Sequence, residues 1–466
     1  MVVKWSVFEK ISQYAIQLIL ILILSRFLDP EDFGLIAILN VFTIMAGIVV
    51  EGGFSQALIS KIKCTNEDYN SVFWFNFLVS VLLYIILFFS AQEISNFFKD
   101  YRIDYLAKIL FLIIPLGAIS IVQQTMLIKD LNFKLLAIFS FLSNIISGIT
   151  GILLAYWGYG VQSIVYQQLV NVLIQNILLW LKSNWRPKLS FRMDPIHNFM
   201  SYSTNILASN FINNLFNNIY PLTISRYFSQ FQLGLYSQSY RFSSQPSILI
   251  DAVINRVSFP VLASLKGNIL NFKSKYSYIL SKIFLYNLPI SFLLILLAHD
   301  LIFILLGPKW MNIVIYFQVL SVASLTFPIH PLTMVPLKVY DKASLILKLE
   351  ILKKIVLVIT IFITLKFGFL YLILGQSIYF LIILPINMYF GGAIIDYSIK
   401  DQLKDVTPYM FSSLVALGLT FFFNSIFGLG SYLNVIFSVL LFSLIYIVLL
   451  RVLLKKTILS IFKVSI

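Results

Sequence analysis

Of the 466 residues, 59% are apolar and 11% charged, where a soluble domain of this size carries about 25% charged residues, so the chain is a polytopic membrane protein. Its net charge of +15 is spread over short loops instead of gathering on one face, which sets nucleic acid aside as a partner. One cysteine, Cys64, excludes an internal disulfide, and His197, His299 and His330 are too far apart for metal-ligand spacing. No metal or other cofactor is expected.

Lys4 precedes a long apolar run, Ile11 to Leu28, without a small-residue cleavage site; it reads as a first span and a retained anchor. Windows of about 20 apolar residues give fourteen spans, at about 7–28, 34–58, 70–91, 105–128, 135–157, 161–182, 197–228, 233–263, 275–298, 311–336, 344–366, 369–395, 404–424 and 432–454. With the N-terminus inside, the inner segments hold 26 Lys and Arg and the outer segments seven. That bias places both termini in the cytoplasm. All the loops are short, so function must reside within the bundle.

The chain repeats itself. Ser25-Arg26-Phe27-Leu28, followed by Gly34-Leu35, returns two hundred residues later as Ser225-Arg226-Tyr227-Phe228 and Gly234-Leu235, and Glu51 matches Asp251. Further on the offset grows: Lys129-Asp130 falls near Tyr340-Asp341, and Trp157-Gly158 matches Phe367-Gly368. Six spans per copy is an even number, so the copies run the same way about an axis along the membrane normal. The expected domains are an N-terminal six-helix bundle (1–183), a C-terminal six-helix bundle (195–400) and two additional helices (401–466). A cleft between two such bundles suits alternating access.

The segments SRFLDPEDFGLIAI…EGGFSQALI (25–59), GYGVQSIVYQQ (158–168), Tyr236–Leu265 with Pro246 and Phe259-Pro260, and IFILLGPKW (302–310) resemble the polysaccharide-exporter branch of the MOP superfamily. That branch includes Wzx-type flippases and colanic-acid-type exporters. The resemblance runs over essentially the whole chain in the same motif order. It implies fourteen helices, an outward V between two bundles, and transport of undecaprenyl-diphosphate-linked sugar units.

In chain order, the candidate site residues begin on the first span, where Gln13 and Gln17, with Glu9 a further turn away, form one stripe. Arg26 ends that span, where it either anchors at the interface or meets substrate. Asp29-Pro30-Glu31-Asp32 resembles a catalytic loop of acids, yet Asp29 as N-cap, Pro30 at the first helical position and acids in the first turn explain it as capping. The repeat favours capping, since the equivalent positions, Ser229 and Gln232, make an uncharged Ser-x-x-Gln box. Glu51 and Asp251, intramembrane acids near inner span ends, are candidates for a coupling ion, with pairing to Lys61, Lys63 or Arg256 as the structural alternative.

Span seven carries Asn210, Asn213, Asn214, Asn217 and Asn218 within an arc of roughly 140°, suited to wetting sugar hydroxyls or to bonding between helices. Span eight places Gln238, Arg241 and Gln245 along one stripe above Pro246, where a kink is expected. Arg241 lies seven residues below Gly234, roughly 10 Å into the membrane. A guanidinium there costs roughly 3 kcal/mol on insertion scales, so it must face protein or water; its fork matches a diphosphate, with snorkelling to the outer interface or pairing with an acid of another helix as the structural alternative. No Walker motif, nucleotide fingerprint or nucleophile constellation is present.

The expected function is a flippase of the bacterial inner membrane and not an enzyme. Arg241 and Arg26 hold the diphosphate of a lipid-linked oligosaccharide, while Asn210, Asn214, Asn217, Gln245, Gln13 and Gln17 line the cavity. The expected partners are that substrate, the bilayer and the polysaccharide polymerase machinery. The rival readings are a drug/cation antiporter of the same superfamily, a membrane glycosyltransferase or polymerase, and a structural scaffold.

Overall fold

The structure, a computed structural model, describes the backbone of residues 2–455; the side chains of 2–4, 6–11, 201 and 252–257 lie outside the description, among them Glu9 and Arg256. Among the described residues every regular element is helical. Packing divides the chain into two compact units, 1–237 and 238–466.

The first unit opens with α1 (Val2–Phe27), α2 (Pro30–Glu51) and α3 (Phe54–Ser60). The second window is therefore a broken span: Gly52 and Gly53, both left-handed at φ 54° and 78°, separate α2 from α3, a conformation that glycine adopts without steric cost. Then come α4 (Asn66–Phe98) and three short helices, α5 (Arg102–Leu110), α6 (Ile113–Ala118) and α7 (Ile121–Lys129), which bend by 44° between α6 and α7. The unit continues through α8 (Phe133–Tyr156), α9 (Gln162–Lys182), α10 (Met193–Asn217) and α11 (Ile219–Tyr227), and ends inside α12 (Gln230–Ala263).

The second unit holds the rest of α12, α13 (Ile269–Leu296) and α14 (Ala298–Leu305). A 3-10 turn, Pro308–Ile313, leads to α15 (Val314–Ser324) and α16 (Ile329–Val339). The unit closes with α17 (Ala343–Leu365), α18 (Phe369–Ala393), α19 (Ile399–Phe427) and α20 (Ser431–Leu454).

Each of the fourteen windows falls on a helix or a run of short helices. Among the described residues eight single helices and the run Pro308–Val339 are long and apolar enough to cross a bilayer, nine in all, or ten if the bent run of α5 to α7 is one span. The helices that do not qualify are informative. In α10 the asparagines dilute the hydropathy, in α12 Gln and Arg do, and α17 carries Lys348, Glu350, Lys353 and Lys354.

The repeat reappears as matched local devices. Asp29 donates its backbone N–H to Asp32 Oδ2 at 3.1 Å, and Ser229 donates its own to Gln232 Oε1 at 3.1 Å while Gln232 N–H returns to Ser229 Oγ at 3.2 Å. Both are capping boxes, as the spacing predicts. After α7, Leu131 turns left-handed and Asn132 N–H reaches Leu127 O at 2.8 Å; after α16, Asp341 does the same and Lys342 N–H reaches Leu337 O at 2.8 Å. These are the 6→1 bonds of a Schellman ending.

Broken spans expose carbonyls that lipid cannot satisfy, and asparagine side chains answer them. In the second unit Asn287 Nδ2 donates to Ser324 O and Leu325 O at 3.2 and 2.9 Å, between α15 and α16. Ser247 Oγ adds bonds to Ser324 O at 2.9 Å and to Asn287 Oδ1 at 2.8 Å. In the first unit α9 supplies the donors: Asn176 Nδ2 reaches Leu116 O at 2.7 Å and Trp180 Nε1 reaches Ile119 O at 3.1 Å. Asn176 corresponds to Asn387, whose amide lies 3.1 Å from His330 Nδ1 at the start of α16.

The segment between α9 and α10 is a strap. Asn70 of α4 holds it through Ser190 Oγ at 3.0 Å and Lys188 N–H at 3.1 Å, Trp74 Nε1 donates to Lys188 O at 2.8 Å, and Arg192 N–H donates to Ser71 Oγ at 3.2 Å. Arg192 also pairs with Glu67 at 3.0 Å.

Candidate functional site

The first repeat-related feature near the candidate residues is a crossing of α2 and α12 in their opening turns. A methyl placed on Gly34 would meet Gln230 O at 2.0 Å, and one on Gly234 would meet Pro30 O at 1.7 Å. These contacts are reciprocal, because Gly34 and Pro30 correspond to Gly234 and Gln230 at the offset of two hundred. Gly is required at both positions because backbone lies against backbone. Below the crossing, α10 packs on α2, α3 and α4, and α11 on α2 and α4. Span seven therefore packs with the first unit, although the repeat assigns it to the second copy.

The asparagine stripe is not one continuous helix. Asn218 is the residue at which α10 stops and α11 begins. Asn214 Nδ2 donates to Asn210 O at 3.0 Å and Asn218 Nδ2 to Asn214 O at 2.8 Å. Such back-bonding competes with the helix ladder, and it leads directly into the break. Asn213 and Asn217 are exposed while Asn210, Asn214 and Asn218 are half-buried. An exposed amide on a membrane helix belongs in water or against sugar, not against hydrocarbon.

Gln13 is half-buried and Gln17 exposed on α1. That helix packs chiefly on α8, so the α1 and α10 stripes belong to helices without extensive mutual packing. Arg26 is exposed at the end of α1. Its counterpart Arg226 serves as an anchor: the guanidinium lies 4.4 Å over the Phe97 ring and Nη1 donates to Phe97 O at 3.0 Å.

On α12, the helix continues through Pro246 and Pro260 and starts at Gln230, so the break after Phe228 is shorter than the sequence suggests. Arg241 is exposed on α12. Among the described residues no carboxylate pairs with Arg241. Three residues earlier Gln238 is buried with its Oε1 unbonded; one turn later Gln245 is half-buried.

The acids divide. Asp29 and Asp32 are engaged in capping, and Glu31 pairs with Arg102 at 3.2 Å, a guanidinium it shares with Asp100 at 2.8 Å. Glu51 is half-buried as the last residue of α2, the end of a helix that disfavours negative charge. Lys61 is taken by Asp68 at 2.7 Å, and no described cation pairs with Glu51. Asp251 is half-buried on α12. No group of three or more metal-ligating side chains occurs among the described residues.

Sequence reading passed over two groups. Glu350 and Lys353, an ion pair on α17, sit near His330 and Tyr379; their i, i+3 spacing was a visible signal. Asn176, Asn287 and Asn387 were hidden because a lone amide in an apolar window has no local signature.

The all-helical fold is shared with solved structures. The inward closed conformation of the lipid II flippase MurJ superposes with a TM-score of 0.76 over 97% of this chain and 99% of that one, at 18% identity. An inward-facing multidrug resistance MATE family transporter of the MOP superfamily gives 0.62 over 82% and 94%, at 15% identity. Residues 23–315 match the family model described as polysaccharide biosynthesis protein, and the chain belongs to that family. The succinoglycan biosynthesis transport protein ExoT of Rhizobium meliloti (strain 1021) is 26% identical over 314 residues, which span 66% of this chain and 62% of that relative.

Proposed function

We propose that this protein is a flippase that carries lipid-linked oligosaccharide units from the inner to the outer face of a bacterial cytoplasmic membrane. The observation that carries the reading is Arg241, an exposed guanidinium on α12 paired with no described carboxylate. An uncompensated cation at that depth is costly, and an anionic ligand that visits it offsets the cost. The diphosphate of a lipid carrier supplies two negative groups at a spacing a guanidinium can grip.

In this mechanism the head group enters from the cytoplasmic side. Arg241, with Arg26, binds diphosphate; Asn210, Asn214, Asn217 and Gln245, with Gln13 and Gln17, bond to sugar hydroxyls; the lipid tail stays in the bilayer. The site is then exposed alternately to the two faces. Glu51 and Asp251 are assigned to an ion whose gradient drives the cycle. Both termini face the cytoplasm, following the inner excess of Lys and Arg. Polymerase machinery consumes the delivered units. The engagement of Asp29, Glu31 and Asp32 in capping and ion pairing weighs against a glycosyltransferase.

The test is transbilayer movement of a short-chain undecaprenyl-diphosphate oligosaccharide in proteoliposomes. Movement by the wild type, reduced at least tenfold by Arg241→Ala at equal protein level, is expected. Movement unchanged by the substitution removes Arg241 from the head-group site. Elongation of the glycan on addition of donor sugar, without movement, makes the protein an enzyme.

A further inference from the structure

A groove of about 660 Å3 opens between α2, α4 and α11 of the first unit, apart from the residues assigned to transport. Its floor is carbon, formed by Phe42, Ile94, Phe98 and Leu222, with Phe42 and Phe98 edge to face at 6.2 Å. Glu93 and Asn96 stand on its wall. Phe97, another lining residue, carries the Arg226 guanidinium on its ring at 4.4 Å. One Arg226 nitrogen is committed to Phe97 O. Glu93 and Arg226 are both exposed. Neither forms an ion pair with a described residue.

The level of the groove matters. The 33 residues of α4 extend about 50 Å at 1.5 Å per residue, while the hydrocarbon core is about 30 Å thick. The final turns of α4, with Glu93 and Asn96, therefore stand among lipid head groups, and the carbon floor continues toward the acyl chains. A volume of this size lies within the range of ligand pockets, about 300–1,000 Å3. Its few polar groups cannot match the hydroxyls of an oligosaccharide. A cation held on Phe97 and an exposed anion beside an apolar floor complement a zwitterion that carries a chain.

We propose that this groove binds an amine-bearing phospholipid, its acyl chain along Phe42, Phe98 and Leu222, its phosphate on Arg226 and its ammonium on Glu93. A lipid with net negative charge gains the arginine contact and meets Glu93 unfavourably, so the site selects head groups by their positive end.

Native mass spectrometry of the full-length protein, titrated with phosphatidylethanolamine and phosphatidylglycerol of matched chains, tests the assignment. The wild type is expected to retain phosphatidylethanolamine about tenfold better, the scale of one charge-assisted contact. Glu93→Gln is expected to bring the ratio close to one. Leu222→Trp, which fills the floor, is expected to remove one bound lipid of either kind. Equal retention of the two lipids by the wild type overturns the proposal, as does a ratio unmoved by Glu93→Gln.

Discussion

Replacing Gly234 by Ala tests the crossing of α2 and α12 most directly. The new methyl would lie 1.7 Å from Pro30 O, and the reciprocal Gly34→Ala would lie 2.0 Å from Gln230 O. Both obstacles are backbone, so neither can rotate away, and relief requires the helices to part by more than an ångström. Overpacking of this kind costs about 1–3 kcal/mol, against a gain in helix propensity of about 0.5–1 kcal/mol for Gly→Ala; the clash wins. Gly47, on the same α2 with open space around its Cα, is the control: Gly47→Ala is expected to be neutral or slightly stabilising. Thermal unfolding of the purified single and double variants measures the effect. Once one methyl has separated the helices the second finds room, so the double variant is expected to fall short of additivity by at least about 0.5 kcal/mol, the lower end for contacting residues. Strict additivity, or an unperturbed Gly234→Ala, would refute the reciprocal crossing.

Three further outcomes are expected. Asn287→Leu leaves Ser324 O and Leu325 O without their amide donor and costs about 1–3 kcal/mol, visible as a lowered unfolding temperature; an unchanged temperature would mean the break in span ten is satisfied otherwise. Glu51→Gln is expected to cut gradient-driven transport at least tenfold while leaving the fold intact, because its carboxylate pairs with no described cation. Asp251→Asn is expected to act in the same direction, and transport unchanged by both substitutions removes these acids from coupling.

The capping boxes at Asp29 and Ser229 were legible because capping is local, set by residues three apart. The Gly34 and Gly234 match was visible as a repeat, yet its meaning was not: nothing in the sequence states that the two copies touch at those glycines. The breaks at Gly52-Gly53, Ile119-Ser120 and Asn218 also escaped hydropathy, since a broken span and a straight one average alike over 20 residues. For the candidate site, Arg241 and the α10 asparagines stood out as polar residues in apolar windows; Arg241, Asn213 and Asn217 are exposed, and Asn210, Asn214 and Asn218 half-buried. The bonds of Asn214 and Asn218 to their own helix could not be read, because they depend on side-chain direction at a break. Glu51 was recognised as an acid, while the loss of Lys61 as its partner could not be read, because Lys61 is held by Asp68, a contact seven residues apart across a loop.

The strap between α9 and α10 has a practical consequence. It joins the two copies of the repeat, and a linker in that position invites cutting, tagging or domain insertion. Here the chain itself is the fastening, with Lys188, Ser190 and Arg192 tied to Asn70, Trp74, Ser71 and Glu67. A protease site or fluorescent domain placed among those residues would undo a clasp on α4, so the two copies are unsuited to expression as halves divided there. The exposed turn at Gly428–Gly430, between α19 and α20, is the better place for a label.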